Sequence, residues 1–282
     1  GRPIGMGPRV PMTVVSPWTI GGYVDSTVAD HTSVLRFLEQ WTGVKEPNIS
    51  AWRRSVAGDL TSAFDFAKAG QPPALTEPGA IPSPIDRWQP KPPAEQAIPE
   101  QESGRKPARR SPYASSVSVK PAGSGVTVAI RNAGSVAAAY SVYPFPGSDT
   151  VPTQVPVAAG AVEQVTVQSV DVVVQGPDRF WFELRGADAA SLGAVDVVPV
   201  PERATLRLQV RNNSASKMRL RVKALAYKGD SKSVQLQPGK IRDVRWPTDS
   251  GWYDLEVTSD HDPKFRCRVT GRVDHPGKPV TA

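Results

Sequence analysis

Hydrophobic and polar residues alternate in short runs across residues 113–282, which is the pattern of half-buried β-strands. Gly, Pro, Asn and Ser separate these runs at intervals of about 8–12 residues, as they do in a β-sandwich. In residues 217–223 every odd position is basic and every even position is apolar. The C-terminal part of the chain is therefore predicted to be β throughout.

The β region contains an internal repeat, because three of its runs recur at an offset of 79 to 85 residues. The matching pairs are 126–132 with 206–212, 155–160 with 234–239, and 180–186 with 265–271. A repeat of this length predicts two tandem β-sandwich modules of similar size. We place the first module at residues 113–202 and the second at residues 203–282.

Residues 1–70 have a pattern that is typical of the end of an α/β domain. Residues 10–17 form an apolar run without alternation, which predicts a strand covered on both faces. A helix is predicted from Asp30, which can cap it, to about Trp41, and Gly43 should end it. One face of this helix is apolar: Val34, Leu35, Leu38 and Trp41.

A second helix is predicted over residues 58–69. Residues 71–112 follow, and they hold 11 of the 29 prolines among mostly polar residues, so we predict a linker or extended tether. Trp88 is the large aromatic residue in this stretch and is expected to dock on a neighbour. The predicted fold class is thus mainly β, with two tandem β-sandwich modules after the remnant of an α/β domain.

Charge is distributed unevenly along the chain. Residues 203–282 carry 17 Lys and Arg against 8 Asp and Glu, whereas residues 113–202 carry 4 against 8. A strongly basic segment indicates an anionic partner, and a merely solvated basic surface is the alternative. The one cysteine, Cys267, excludes an internal disulfide, and its place between cations on an alternating strand predicts a buried thiol.

Motifs that carry chemistry are few in this sequence. No nucleophile elbow, phosphate-binding loop or zinc-binding helix motif is present. His31 follows Asp30 at a predicted helix start, where it could line an anion-binding pocket or lie next to an ordinary capping box. The opening residues, Gly1-Arg2-Pro3-Ile4, show no initiator Met and no signal-peptide pattern, so we expect residue 1 to lie within a longer product.

Two strings in the N-terminal part carry a family resemblance. Gly5-Met6-Gly7-Pro8-Arg9-Val10-Pro11 leads into Ser16-Pro17-Trp18, and Asp30-His31-Thr32-Ser33-Val34-Leu35-Arg36-Phe37-Leu38-Glu39 follows. This sequence resembles the end of the catalytic domain in the bacterial phospholipase C and acid phosphatase family of phosphoesterases. Residues 113–282 are similar to the paired C-terminal domains of the phosphocholine-preferring branch, notably at Trp252-Tyr253-Asp254-Leu255 and Gly271-Arg272-Val273.

The resemblance implies an alkaline-phosphatase-like α/β domain followed by β modules, and a secreted or periplasmic bacterial enzyme. The implied reaction is hydrolysis of phosphatidylcholine to diacylglycerol and phosphocholine, with a divalent metal ion in the full enzyme. The family's nucleophile and metal ligands lie before the matched strings, so no catalytic or metal-binding residue is transferred to this chain. Arg9 and His31 are the residues expected nearest to the rim of the active site.

The implied partners are phospholipid (phosphatidylcholine or sphingomyelin), or a membrane surface, and the remainder of the catalytic domain; no nucleic acid is expected. Outward-facing cations of the second module are predicted to form a surface for anionic lipid. These are Arg207, Arg211, Lys217, Arg219, Arg221, Lys223, Arg266 and Arg268. Two alternatives remain open: a phosphomonoesterase of the same family, and a non-enzymatic β-sandwich module for binding or adhesion.

Overall fold

The structure, a computed structural model, describes residue 6 and residues 11–72, 74–77, 79–80, 94–97, 103–145, 151–275 and 279–281. Its helices are α1 (Thr32–Thr42), α2 (Ala51–Val56) and α3 (Ala189–Gly193). Its strands are β1 (Ser115–Ala122), β2 (Gly125–Asn132), β3 (Ala138–Phe145), β4 (Thr153–Val157), β5 (Val162–Val167), β6 (Asp171–Gln175), β7 (Trp181–Arg185), β8 (Val195–Glu202), β9 (Thr205–Asn212), β10 (Met218–Ala226), β11 (Lys232–Leu236), β12 (Ile241–Pro247), β13 (Trp252–Ser259) and β14 (Arg266–Arg272). The chain is mainly β, as predicted.

The predicted helix near residue 30 is confirmed as α1. Asp30 Oδ1 accepts the Thr32 backbone N–H at 2.8 Å, and Ser33 Oγ accepts the Asp30 backbone N–H at 2.9 Å. Gly43 ends the helix with a φ of 75° and donates its N–H to Glu39. The apolar face is in place but uncovered, since each of its side chains is at least 40% exposed, and Trp41 is 78% exposed.

Two other N-terminal predictions are wrong. Residues 11–17, the described part of the predicted strand at 10–17, contain no strand, and Val15 is 92% exposed. A strand needs a neighbour for its backbone groups, and two prolines in this segment remove donors. The second helix lies before residues 58–69, at α2; Leu60 has a φ of 64°, which interrupts a right-handed helix and leaves a 3-10 turn at Thr61–Ala63.

Strands β1 to β7 and strands β8 to β14 repeat one arrangement. In each half, the first, second and fifth strands form a three-stranded sheet: β1-β2-β5 and β8-β9-β12. The registers match as well, because Val126 pairs with Val167 in the first repeat as Leu206 pairs with Trp246 in the second. The structure therefore aligns the two repeats residue by residue.

The remaining strands of both repeats form one continuous sheet of eight, in the order β11-β10-β13-β14-β7-β6-β3-β4. The junction is the antiparallel pair β7–β14, in which Glu183 lies opposite Arg268. Cys267 pairs with Leu184 and Val269 with Phe182, so an approximate two-fold axis passes between Glu183 and Arg268. The two repeats thus share a sheet, and one hydrophobic core cluster runs through both.

A buried asparagine occupies the same corner of each repeat. Asn132 and Asn212 are both fully buried at the end of the second strand. Asn132 Nδ2 donates to the carbonyl oxygens of Val136 and Val157, and Asn212 Nδ2 donates to those of Ser216 and Leu236. Each side chain ties the loop before the third strand to the end of the fourth strand, so both repeats use one device to fix this corner.

The described end of the predicted linker connects the N-terminal segment with the C-terminal residues. Ala108 bridges to Val24, Pro107 bridges to Val280, and the backbone N–H of Ala108 donates to Pro279. Trp88 lies outside the described residues. The division at residues 70, 112 and 202 stays a prediction, although hydrogen bonding groups β8 with β9 in the second repeat.

Cys267 is fully buried, which confirms the prediction from the alternation around it. Burial raises the pKa of its thiol well above the usual range, because the charged thiolate is poorly solvated in the core. The thiol is therefore part of the packing, and it occupies the place that Phe182 fills in the first repeat.

Candidate functional site

Strand β10 has the alternation that its sequence predicts. Met218, Leu220 and Val222 are buried, while Arg219, Arg221 and Lys223 are exposed on the outer face of the eight-stranded sheet, with Lys217 just before them. Within the described part of the chain, these four basic side chains form no ion pair. They make an unpaired basic row along the outer face.

Arg266 and Arg268 lie on the same sheet face, but they are neutralised by carboxylates. Arg266 Nε is 2.7 Å from Glu256 Oε2, and the same guanidinium contacts Glu183 across the junction. Arg268 forms a two-pronged pair with Asp254 at 2.7 and 2.9 Å. The hydrogen bonds that the arginines donate to these carboxylates raise the pKa of both guanidinium groups. The two residues therefore belong to an ion-pair network and do not extend the basic row.

Arg207 and Arg211 lie on β9, which belongs to a three-stranded sheet rather than to the sheet that carries β10. Arg207 is paired with Glu202 at 2.6 Å and with Asp243 at 3.1 Å, whereas Arg211 is exposed. The eight cations predicted to form one surface are therefore divided among three places. Their proposed role with anionic lipid stays a prediction.

The structure brings another set of cations together, at the open side of the second repeat. Strands β11 and β12 are the edges of two different sheets, and an open groove of about 1220 Å³ lies between them. Four basic residues line it: Arg219, Lys232, Arg242 and Arg245. The lining acid, Asp243, is already paired with Arg207. We refer to the groove that these four basic residues line as the basic groove.

Strand geometry explains why Lys232 and Arg242 lie at the groove. Both occupy the same side of their strands as buried residues, Lys232 with Leu236 and Arg242 with Trp246. Lys232 Nζ donates to the Arg245 carbonyl at 2.6 Å and lies 5.3 Å from the centre of the Trp246 ring. This contact spans the gap between the two sheet edges and holds one cation at the mouth of the groove.

The matching edge of the first repeat has no basic residue. By the shared register, Ala139, Thr153, Glu163 and Thr166 stand where the second repeat has Arg219, Lys232, Arg242 and Arg245. Strands β4 and β5 also contact one another, whereas β11 and β12 do not approach to the same degree. Val167 of the first repeat is replaced by the much larger Trp246, whose bulk fits this wider separation.

Sequence reasoning missed Lys232, Arg242 and Arg245. Residues 240–246 do not alternate cleanly, because the first part of an edge strand is solvated on both sides. The usable signal was the repeat itself. Aligned with residues 161–167, this stretch gains three cations, one of them in place of Glu163, which marks a change of surface on a constant scaffold.

His31 is exposed at the start of α1, and its side chain makes no capping hydrogen bond. The reciprocal bonds of Asp30, Thr32 and Ser33 at this helix start match the capping-box interpretation. Arg9 lies outside the described residues. The role of both residues at an active-site rim stays a prediction. Among the described residues, no three His, Cys, Asp or Glu side chains are grouped so that they could hold a metal ion.

An aromatic pocket of about 520 Å³ lies beside α1. Phe37 stacks on Phe64 at 5.0 Å, and Phe64 stacks on Phe66 at 5.2 Å. Trp41 and Trp18 complete the wall of this pocket. Together with the exposed apolar face of α1, it gives the N-terminal segment a large uncovered apolar surface.

Family comparisons agree with the division of the molecule into an N-terminal segment and two β repeats. Residues 1–45 match the model of the phosphoesterase family. Residues 107–187 and 192–272 each match the model of the bacterial phospholipase C, C-terminal domain, so the two matches correspond to the two structural repeats. Together these two matches account for more than half of the chain.

Similar whole proteins include two named "Non-hemolytic phospholipase C". The one from Pseudomonas aeruginosa is 38% identical over 97% of this chain and 43% of its own length, and the one from Burkholderia pseudomallei is 34% identical over 99% and 43%. "Hemolytic phospholipase C" of P. aeruginosa is 32% identical over 99% of the chain and 45% of its own length. The chain therefore spans less than half the length of these relatives. No helix in the described part of the chain is long and apolar enough to cross a membrane.

Proposed function

Because the chain belongs to the family of bacterial phospholipase C C-terminal domains, we propose that it is the C-terminal part of an enzyme that hydrolyses phosphatidylcholine to diacylglycerol and phosphocholine. The observation that carries the proposal is the coincidence of two family matches with two structural repeats, in a chain whose residues 1–45 match the phosphoesterase family. Relatives named phospholipase C that align over nearly the whole chain support it.

The catalytic centre belongs, in this proposal, to a part of the protein outside this chain. A divalent metal ion would there stabilise the charge that develops on the phosphate. The described residues of the chain do not fit such an ion, since no group of three possible ligands occurs among them. We therefore assign this chain no chemical step.

The chain's own contribution is to complete and support the catalytic domain. The apolar face of α1 and the aromatic pocket beside it are suited to pack against the remainder of that domain. The bridges of Val24 and Val280 to residues 107–108 hold the N-terminal segment beside the second repeat. The proposed substrates are phosphatidylcholine and sphingomyelin, and the proposed location of the protein is secreted or periplasmic.

Hydrolysis assays on two proteins test this proposal. The full-length product that contains this chain should release phosphocholine from phosphatidylcholine and should cleave p-nitrophenyl phosphorylcholine. The 282-residue chain alone should give only the rate of a buffer blank. Faster cleavage of p-nitrophenyl phosphate would instead indicate a phosphomonoesterase. Absence of turnover by a folded full-length protein would contradict both and favour a binding module.

A further inference from the structure

We propose that the basic groove of the second repeat, together with the exposed tip at Ile241, is a docking surface for membranes that contain anionic phospholipid. The groove is lined by Arg219, Lys232, Arg242 and Arg245. The choice of a lipid as the occupant rests on the proposed function. The charge and the shape of the surface are independent of that function. The inference concerns attachment to the bilayer and not recognition of the hydrolysed lipid.

The free charge of this surface is the first argument. Among the described residues, no carboxylate pairs with the side chains of Arg219, Arg242 or Arg245. Arg219 also belongs to the unpaired basic row on β10, so the basic groove and the row meet at the corner formed by β11. Each basic residue near an anionic bilayer contributes about 1 kcal/mol of attraction. Cations on both sides of one corner can therefore act together on a surface of headgroups.

The second argument is the amphipathic tip next to the groove. Ile241 is 50% exposed at the start of β12, between the exposed cations Lys240 and Arg242. An apolar side chain flanked by cations suits the boundary between headgroups and acyl chains, where the apolar group enters and the charges meet phosphate. A soluble anion would bind the cations but would leave the side chain of Ile241 exposed to water.

Strand addition by an acidic peptide fits the groove less well. A peptide that extended either sheet would need the free backbone groups of β11 or β12. Lys232 Nζ already occupies the Arg245 carbonyl at 2.6 Å and crosses the gap that such a strand would enter. The basic side chains of the groove therefore stay accessible at the surface, whereas part of the strand edge is blocked for the addition of a further strand.

The first repeat supplies an internal contrast. Its tip also exposes an apolar residue, Val162, at 48%, but the next residue is Glu163 rather than arginine. An exposed apolar tip is thus common to the scaffold, as is the arginine opposite it on the second strand (Arg131 or Arg211), whereas the cations at the groove positions are specific to the second repeat. We expect membrane attachment at one end of the eight-stranded sheet only.

Vesicle co-sedimentation with the full 282-residue chain tests the proposal. One set of vesicles is phosphatidylcholine alone, and the other contains about one-third phosphatidylglycerol. Binding should require phosphatidylglycerol and should weaken as added salt screens the charges. Arg242→Gln with Arg245→Gln should lower the partition coefficient about 30-fold, since two cations are removed.

A matched control separates a local site from net charge. Lys120→Gln with Arg131→Gln removes two exposed cations from the first repeat and should leave binding within about twofold, because those residues lie away from the groove. Ile241→Ser should reduce binding without changing charge. Thermal unfolding of each variant verifies that the protein is folded.

Several outcomes would overturn the proposal. These are equal binding to vesicles of phosphatidylcholine alone, equal loss in the two double variants, and unchanged binding after Arg242 and Arg245 are replaced. Binding to polyglutamate or duplex DNA without binding to the anionic vesicles would assign the groove another occupant. Because no hydrolysis is measured, failure here leaves the assays of the proposed function unaffected, and their failure leaves this measurement unaffected.

Discussion

The two repeats have the same scaffold but surfaces of very different charge. Strand order, sheet register and the corner asparagines, Asn132 and Asn212, are shared between them. Their charges differ, because residues 115–185 of the first repeat carry 4 Lys and Arg against 5 Asp and Glu, whereas residues 195–272 of the second carry 16 against 9. Buried positions are constrained by packing and by hydrogen bonds that must be satisfied, whereas exposed positions are free to change. Differences between the repeats therefore indicate function more clearly than their similarities do.

The largest predicted contrast lies in the core, at Phe182 and Cys267. Both are buried and occupy equivalent register positions, but the phenylalanine fills far more volume. Phe182→Ala should lower the free energy of unfolding by about 4 kcal/mol, and Cys267→Ala by about 1 kcal/mol, because the cavities left behind differ. Denaturant titrations measure both losses. As a control, a thiol reagent should label Cys267 only after unfolding; rapid labelling of the native protein would contradict its burial.

The second prediction concerns the corner asparagines, for which the repeats should behave alike. Asn132→Ala and Asn212→Ala each remove the side chain that donates hydrogen bonds to two carbonyl groups. Those carbonyl groups stay in the protein interior without this donor. We expect each change to lower the free energy of unfolding by about 2 kcal/mol. A difference of more than about 1 kcal/mol between the two variants would show that the corners are not equivalent in energy.

The third prediction concerns the junction between the repeats, where the expected effect is small. Glu183 contacts Arg266 and lies 3.0 Å from Arg185, but Arg266 also has Glu256, and Arg185 also has Asp171. Because both arginines keep a partner, Glu183→Gln should lower the free energy of unfolding by about 1 kcal/mol, and less at high salt. Glu163→Gln, on an exposed glutamate in the first repeat, is the control and should change nothing measurable. A loss several times larger would mean that the junction, rather than either core, limits stability.

The sequence predicted most of the β architecture, because alternation records which face of a strand is buried. The burial of Met218, Leu220, Val222 and Cys267 followed directly from that pattern. The sharing of one sheet by the two repeats was not predicted, since no local pattern tells whether Phe182 and Leu184 meet a partner strand from the other repeat. Pairing between distant strands depends on the whole fold.

The candidate site was predicted less well, for a related physical reason. Outward orientation identified Arg266 and Arg268, but their neutralisation depends on Asp254, Glu256 and Glu183, which lie on neighbouring strands. Arg242 and Lys232 were missed because they lie at the open edge between two sheets. At such an edge, alternation along the strand does not tell which side chains are buried and which are exposed. Likewise, the strand predicted at residues 10–17 lacks a neighbour among the described residues.

The junction between β7 and β14 bears on how such a tandem protein is built and on how it fails. In a single repeat, β7 would be a free edge with Phe182 and Leu184 on its inner side, a template for self-association. A second copy of the same repeat, joined through the two-fold axis, would cover that edge, so a symmetric homodimer is a ready precursor for the fused chain. Removing one repeat should accordingly produce dimers or aggregates rather than a stable half.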